Sequence, residues 1–95
     1  MLNSVVLVGK LTDRCVFDDT VDSSTSYRIR IIFENDESCN ELETDVYIWA
    51  GLTDVVNNKA DNCPAVGIKG YLKNVDGRLY IIAQRVSFIE VKEDD

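Results

Sequence analysis

Histidine is absent from this chain of 95 residues. That removes the commonest general base, the commonest metal ligand and every serine or cysteine nucleophile scheme built on imidazole. Cysteine is scarce: Cys15, Cys39 and Cys63 are odd in number, evenly scattered and without paired spacing. A disulfide framework or a zinc site needs closer or even-numbered sets, so these read as inert thiols. No apolar run approaches the ~18 residues of a membrane span. The N-terminus lacks the basic and apolar zones of a secretory signal, and the expected location is the cytoplasm. No glycine loop of the kind that cradles phosphates is present. An enzyme is therefore not expected, nor a cofactor. Asp18, Asp19 and Asp22 form an acidic triplet, but an oxygen cage needs convergent ligands and the segment reads as a solvated loop.

What is present is enough for one domain. Apolar residues make up 45% of the chain and charged ones 28%, which excludes wholesale disorder. At this length about 60–65% of the unfolded surface is buried on folding, enough for one modest core. We assign residues 1–92 to that domain and 93–95 to a short acidic end.

Alternation dominates the chain. Thr44-Asp-Val-Tyr-Ile-Trp-Ala50 sets Val46, Ile48 and Ala50 on one face and Asp45, Tyr47 and Trp49 on the other, the period of a strand. One face enters a core and the other is expected to present two aromatic rings. The period then changes, with Leu52, Val55 and Val56 at helical spacing. Thr53 and Asp54 stand where side-chain oxygens can accept from unpaired backbone N–H groups.

Upstream, Leu2 to Leu11 is an apolar strand, with Gly9 marking a bulge or a close backbone approach. Thr12 to Thr25 reads as a loop, Ser26 to Phe33 as a strand, and Glu34 to Glu43 as a second acidic loop. Downstream, Pro64 to Lys73 sets Val66, Ile68, Gly70 and Leu72 against Gly67, Lys69, Tyr71 and Lys73. Asn74-Val-Asp-Gly77 is a hairpin signal. Arg78 to Val91 is a long last strand whose parity switches, which a bulge near Gln84-Arg85 would reconcile. Five strands with a helix between the third and fourth is the layout of an all-β, five-stranded Greek-key OB-fold barrel.

Specific residues carry a resemblance further. The opening Met-Leu-Asn-Ser-Val-Val-Leu-Val-Gly-Lys-Leu-Thr resembles the start of bacterial and phage single-stranded DNA-binding proteins. Val46-Tyr-Ile-Trp-Ala-Gly-Leu-Thr-Asp-Val-Val is similar to that family's third strand and helix, and Val66-Gly-Ile-Lys-Gly-Tyr-Leu to its fourth strand. Ile81-Ile-Ala-Gln-Arg-Val-Ser-Phe-Ile-Glu is similar to its closing strand. The resemblance implies an oligomeric OB-fold that wraps single-stranded DNA in replication, repair and recombination, with RNA as the alternative strand. Bases would stack on aromatic rings and phosphates would meet cations. The matching positions are Trp49, Tyr47, Lys69, Tyr71 and Lys73, with Arg28, Arg30 and Arg78 as further cations.

The chain departs from the family at three places. Asp36, Glu37 and Glu43 stand where further aromatics are usual, the last hairpin is cut to Asn74–Gly77, and only Lys92-Glu-Asp-Asp95 stands in place of a long flexible tail with an acidic, hydrophobic tip.

The net charge of −7 opposes a polyanionic ligand. The charge is uneven, however. Asp13 to Asp45 holds ten acids against three bases, whereas Val46 to Lys92 holds four acids against six bases. Binding would lean on stacking, at about 1–3 kcal/mol per base. Arg28 and Arg30 serve equally well as phosphate contacts or as partners of the acidic loops. The competing reading is an OB-fold interaction module that engages a basic partner through those loops. In either reading, the long apolar edge of the N-terminal strand predicts a homodimer or homotetramer.

Overall fold

The computed structural model describes residues 3–34, 41–62 and 64–89. Asp36, Glu37, Cys39, Cys63 and the acidic end fall outside the described residues. The strands are β1 (Val5–Leu11), β2 (Val16–Phe17), β3 (Tyr27–Glu34), β4 (Glu41–Ile48), β5 (Ala65–Val75) and β6 (Arg78–Ile89). Between β4 and β5 lie a 3-10 turn at Ala50–Leu52 and the helix α1 (Thr53–Ala60). The sheet order is β1-β5-β6-β4-β3-β2, and a further β1–β3 pairing closes it on itself. The result is a closed five-stranded barrel of the OB type, with β2 as a short sixth strand on the outer end of β3. All neighbours are antiparallel except β4 and β6, which pair in parallel at Val46–Ile81 and Tyr47–Ile82. That crossover makes the topology mixed.

Alternation puts Leu11, Ile29, Ile31, Val46, Ile48, Val66 and Ile68 inside the barrel, each fully buried. Helix α1 adds Val56 and Ala60 to the same core. Val55 is instead half exposed, because only one side of so short a helix meets the barrel. Thr53 does not cap α1 in the expected way. The preceding 3-10 turn supplies the partner, and Thr53 Oγ1 donates back to the Ala50 carbonyl at 2.9 Å.

Gly9 is a close approach, since a Cβ there would stand 2.6 Å from the Ile32 carbonyl oxygen as β1 crosses β3. The parity switch of β6 is a bulge at Gln84. Lys69 faces Arg85 while the next residue, Gly70, faces Ala83. The β5–β6 turn holds Asp76 and Gly77 at φ 52° and 85°, the positive angles of a tight hairpin. Asn74 Oδ1 accepts from the Gly77 amide at 3.0 Å.

Two segment boundaries differ from the sequence reading. Strand β4 begins at Glu41 and runs beside β3 with Leu42 opposite Phe33 and Glu43 opposite Ile32. The segment Thr12–Thr25 contains β2, paired to Tyr27 and Arg28. In both cases the ladder of a neighbouring strand recruits residues whose own composition favours a loop.

Candidate nucleic-acid interface

On the outer wall of the barrel, the residues opposite in parity to the core line up across strands. Register brings Val16, Arg28 and Tyr47 together, then Ile82 and Tyr71. Lys73 lies opposite Tyr80 on the same face, and Lys69 opposite Arg85. The bulge makes this row possible by realigning the two strands between Lys69 and Gly70. A one-residue slip would turn every one of these side chains inward.

A groove of about 440 Å³ runs along this wall, lined among others by Asp18, Arg28, Tyr47, Arg78 and Tyr80. Lys69 and Arg78 are exposed and make no ion pair among the described residues. Tyr71 and Tyr80 are partly buried and pack on a small apolar cluster of Val21, Tyr47 and Ile82.

Tyr47 corrects the sequence reading. Its ring is only 6% exposed, and Tyr80 meets it edge-on at 5.3 Å between centroids. The cause is the loop between β2 and β3, residues 18 to 26, which folds over the wall as a strap. Its base is closed by the Asp18 amide donating to the Ser26 carbonyl at 2.8 Å. Each of two carboxylates then divides its oxygens between two tasks. Asp18 Oδ1 accepts from the Thr20 amide and hydroxyl, while Oδ2 meets Arg28 Nη1 and the Tyr47 hydroxyl, both at 3.1 Å. Asp22 Oδ1 accepts from the amides of Ser24 and Thr25 and from the Ser24 hydroxyl, while Oδ2 meets Lys73 Nζ at 3.1 Å.

Between the two carboxylates, Val21 is pressed onto Tyr47 and Ile82 and is 9% exposed. Burying a valine contributes roughly 1.5–3 kcal/mol, against about 0–1 kcal/mol for each partly exposed ion pair. The apolar plug therefore outweighs either ion pair taken singly.

The electrostatics follow this geometry. Hydrogen bonds from Thr20, and then from Tyr47 with the nearby Arg28 charge, hold the Asp18 carboxyl below its ordinary pKa against the opposing effect of burial. Hydrogen bonds from Ser24, Thr25 and Lys73 hold Asp22 far below the ordinary carboxylate range. Burial, then the adjacent Asp18, pushes the Tyr47 phenol up.

The other expected site residues scatter. Arg30 sits between Asp45 at 3.4 Å and Glu43 at 3.7 Å. Trp49 lies one residue past the end of β4, at the N-cap of the 3-10 turn. It is 60% exposed, with its ring laid against Gly51, where any Cβ would strike it. Sequence reasoning missed Tyr80 and the strap. The spacings Asp18-x-Thr20 and Asp22-x-Ser24-Thr25 do signal side-chain-capped turns, but nothing in them tells where the turns dock.

The thiol of Cys15 is half buried and its pKa is raised by that burial. Among the described residues no cluster of carboxylates and thiols has the convergence of a metal site, and no helix is long and apolar enough to cross a membrane.

No protein-family model matches the chain, and no curated protein matches it in sequence. Solved structures do match. The mitochondrial single-stranded DNA-binding protein Rim1 of S. cerevisiae superposes with a TM-score of 0.73 at 8% identity, covering 96% of this chain and 97% of that one. Its fold is that of single-stranded DNA-binding proteins. A small single-stranded DNA-binding protein from Mycoplasma pneumoniae matches over all of both chains, with a TM-score of 0.64 and 16% identity. The dimeric N-terminal domain of PriB from Thermoanaerobacter tencongensis gives 0.65 at 22% identity, over 94% of this chain and 98% of that one. What these proteins share with the chain is the OB barrel from end to end.

Proposed function

We propose that this chain binds single-stranded DNA with little regard to sequence, as a non-enzymatic protein that covers strands exposed in replication, repair and recombination. The observation that carries the reading is the outer wall, where Lys69, Tyr71 and Lys73 project from β5 beside Arg78 and Tyr80 of β6. Rings that tolerate any base, set among cations on one face, suit a ligand with a regular polyanionic backbone and unpaired bases. Trp49, Arg28 and Arg30 are proposed as further contacts. The fold shared with proteins described as single-stranded DNA-binding supports the same reading.

The test is a titration with oligo-dT that follows the fluorescence of Trp49, the only tryptophan. Quenching is expected, and binding should weaken with salt at a log–log slope near −0.7 per phosphate neutralised. A folded sample that gives no signal at low salt and retains no oligo-dT in a gel refutes the reading.

The protein is also proposed to act as an oligomer through β1. Val6 and Val8 are 70% and 62% exposed. On one side β1 pairs with β5 from Val5 to Lys10, whereas on the other it meets β3 only at Lys10 and Leu11. An apolar strand with much of one edge open suits a second copy of itself.

A second reading keeps the fold and replaces the ligand. With Asp18 and Asp22 on the wall, Arg30 flanked by acids and a net charge of −7, a basic protein partner is the competing occupant. Selective retention of single-stranded over duplex DNA at low ionic strength eliminates it.

A further inference from the structure

The strap stands where a DNA strand would have to lie. We propose that residues 18 to 26 act as a built-in competitor for the nucleic-acid wall, closed in the free protein and displaced when single-stranded DNA binds. This rests on the DNA-binding reading given above.

Three features of the strap imitate a bound strand. The Asp18 and Asp22 carboxylates occupy cations of the wall, Arg28 and Lys73, as phosphates would. Val21 covers the Tyr47 ring, the surface on which a base would stack. The hydroxyl of Tyr47 is taken by the same Asp18 oxygen that holds Arg28. The strap is also built to move as one piece. Its internal bonds use the Oδ1 atoms and its wall contacts use the Oδ2 atoms and Val21, so the wall contacts can break while the local turns survive. Its ends are tied together at Asp18 and Ser26. Opening would free Arg28 and Lys73 and uncover Tyr47, restoring the aromatic face that the alternation of β4 predicts.

Apparent affinity is the intrinsic affinity reduced by the fraction of open molecules. Weakening the strap should therefore tighten DNA binding, the reverse of what a structural loop would do. Val21→Ala removes roughly two methylenes of apolar burial and should raise affinity for oligo-dT by up to roughly tenfold. Asp18→Asn/Asp22→Asn keeps the Oδ1 acceptors of the turns and releases the two cations. It should also bind more tightly, and by more than Asp54→Asn/Asp76→Asn, which changes net charge equally but involves no ion pair among the described residues. The nuclear Overhauser contact between the Val21 methyls and the Tyr47 ring supplies a second readout: present in the free protein, it should vanish at saturating oligo-dT while the turn amides of Thr20, Ser24 and Thr25 keep their protection.

If wild type binds oligo-dT and the strap variants bind no more tightly than the control, or the Val21–Tyr47 contact persists in the complex, the competitor role is wrong and the DNA-binding reading stands. If neither wild type nor any strap variant binds, both fall.

Discussion

Gly70→Ala tests the bulge that aligns both halves of β6 with the outer face of β5. Gly70 sits on the inner face of β5 at the register shift, opposite Ala83, with β6 bulged at Gln84. A Cβ at this position would fall inside contact distance of the Ile82 carbonyl oxygen, 2.8 Å from its carbon and 3.1 Å from Ala83 Cα. All three atoms are backbone, so no rotamer change relieves the clash. The β5–β6 ladder has to part. Overpacking of a well-packed core costs about 1–3 kcal/mol, and a collision with main chain belongs near the top of that range.

A chain of this length has a total stability of about 5–14 kcal/mol. Losing 2–3 kcal/mol corresponds to a fall in melting temperature of roughly 10–25 °C. Gly67→Ala is the control on the same strand. Its Cβ would meet nothing closer than the Ser87 carbonyl at 4.0 Å, and its melting temperature should stay level or rise slightly, because the unfolded chain loses freedom. Thermal unfolding followed by far-ultraviolet circular dichroism compares the two. Equal melting temperatures for the two variants refute the close-packed bulge. The alignment of Arg85 beside Lys69 on the face that also carries Tyr80 and Ile82 would then need another cause.

Trp49→Ala should leave the melting temperature nearly unchanged, since the ring is mostly exposed. It should weaken oligo-dT binding by about 1–3 kcal/mol if one base stacks there, measured by fluorescence anisotropy of labelled oligo-dT. Unchanged affinity removes Trp49 from the interface. Val6→Lys/Val8→Lys places charges on the outer side of β1 and should convert an oligomer into a monomer of 10.7 kDa in light scattering; persistence of the oligomer moves the interface elsewhere.

The strap should also respond to acid. Asp18 and Asp22 have lowered pKa values in the folded protein. Their contribution is therefore fully present above the unfolded value of about 3.9 and is lost as pH falls below it. Protection of the strap amides should decline below about pH 4, before the β5 amides exchange. Simultaneous loss would show that the strap and barrel unfold as one unit.

Much of the barrel is legible in the chain because alternation is a local property. The inward sets of β1, β3, β4 and β5 follow from the parity of Leu11, Ile29, Ile31, Val46, Ile48, Val66 and Ile68. The Asn74–Gly77 hairpin and the bulge at Gln84 follow from turn chemistry and from a parity switch. Parity also put Lys69, Tyr71 and Lys73 on the outer face. What it does not contain is where the strand ends: Trp49 reads as a strand residue, whereas β4 stops at Ile48 and Trp49 stands at the N-cap of the 3-10 turn.

The fate of the wall was decided by tertiary structure alone. Whether an exposed-parity ring stays exposed depends on what crosses above it, and Val21 reaches Tyr47 only once β2 and β3 have paired. The same holds for the acids. A run containing Asp18 and Asp22 looks solvated when read in order, yet folding brings it against Arg28 and Lys73, since attraction between charges depends on distance in space and not on separation along the chain. Sequence pattern determined which residues face out; packing between segments distant in sequence determined which of them water, or a ligand, can reach.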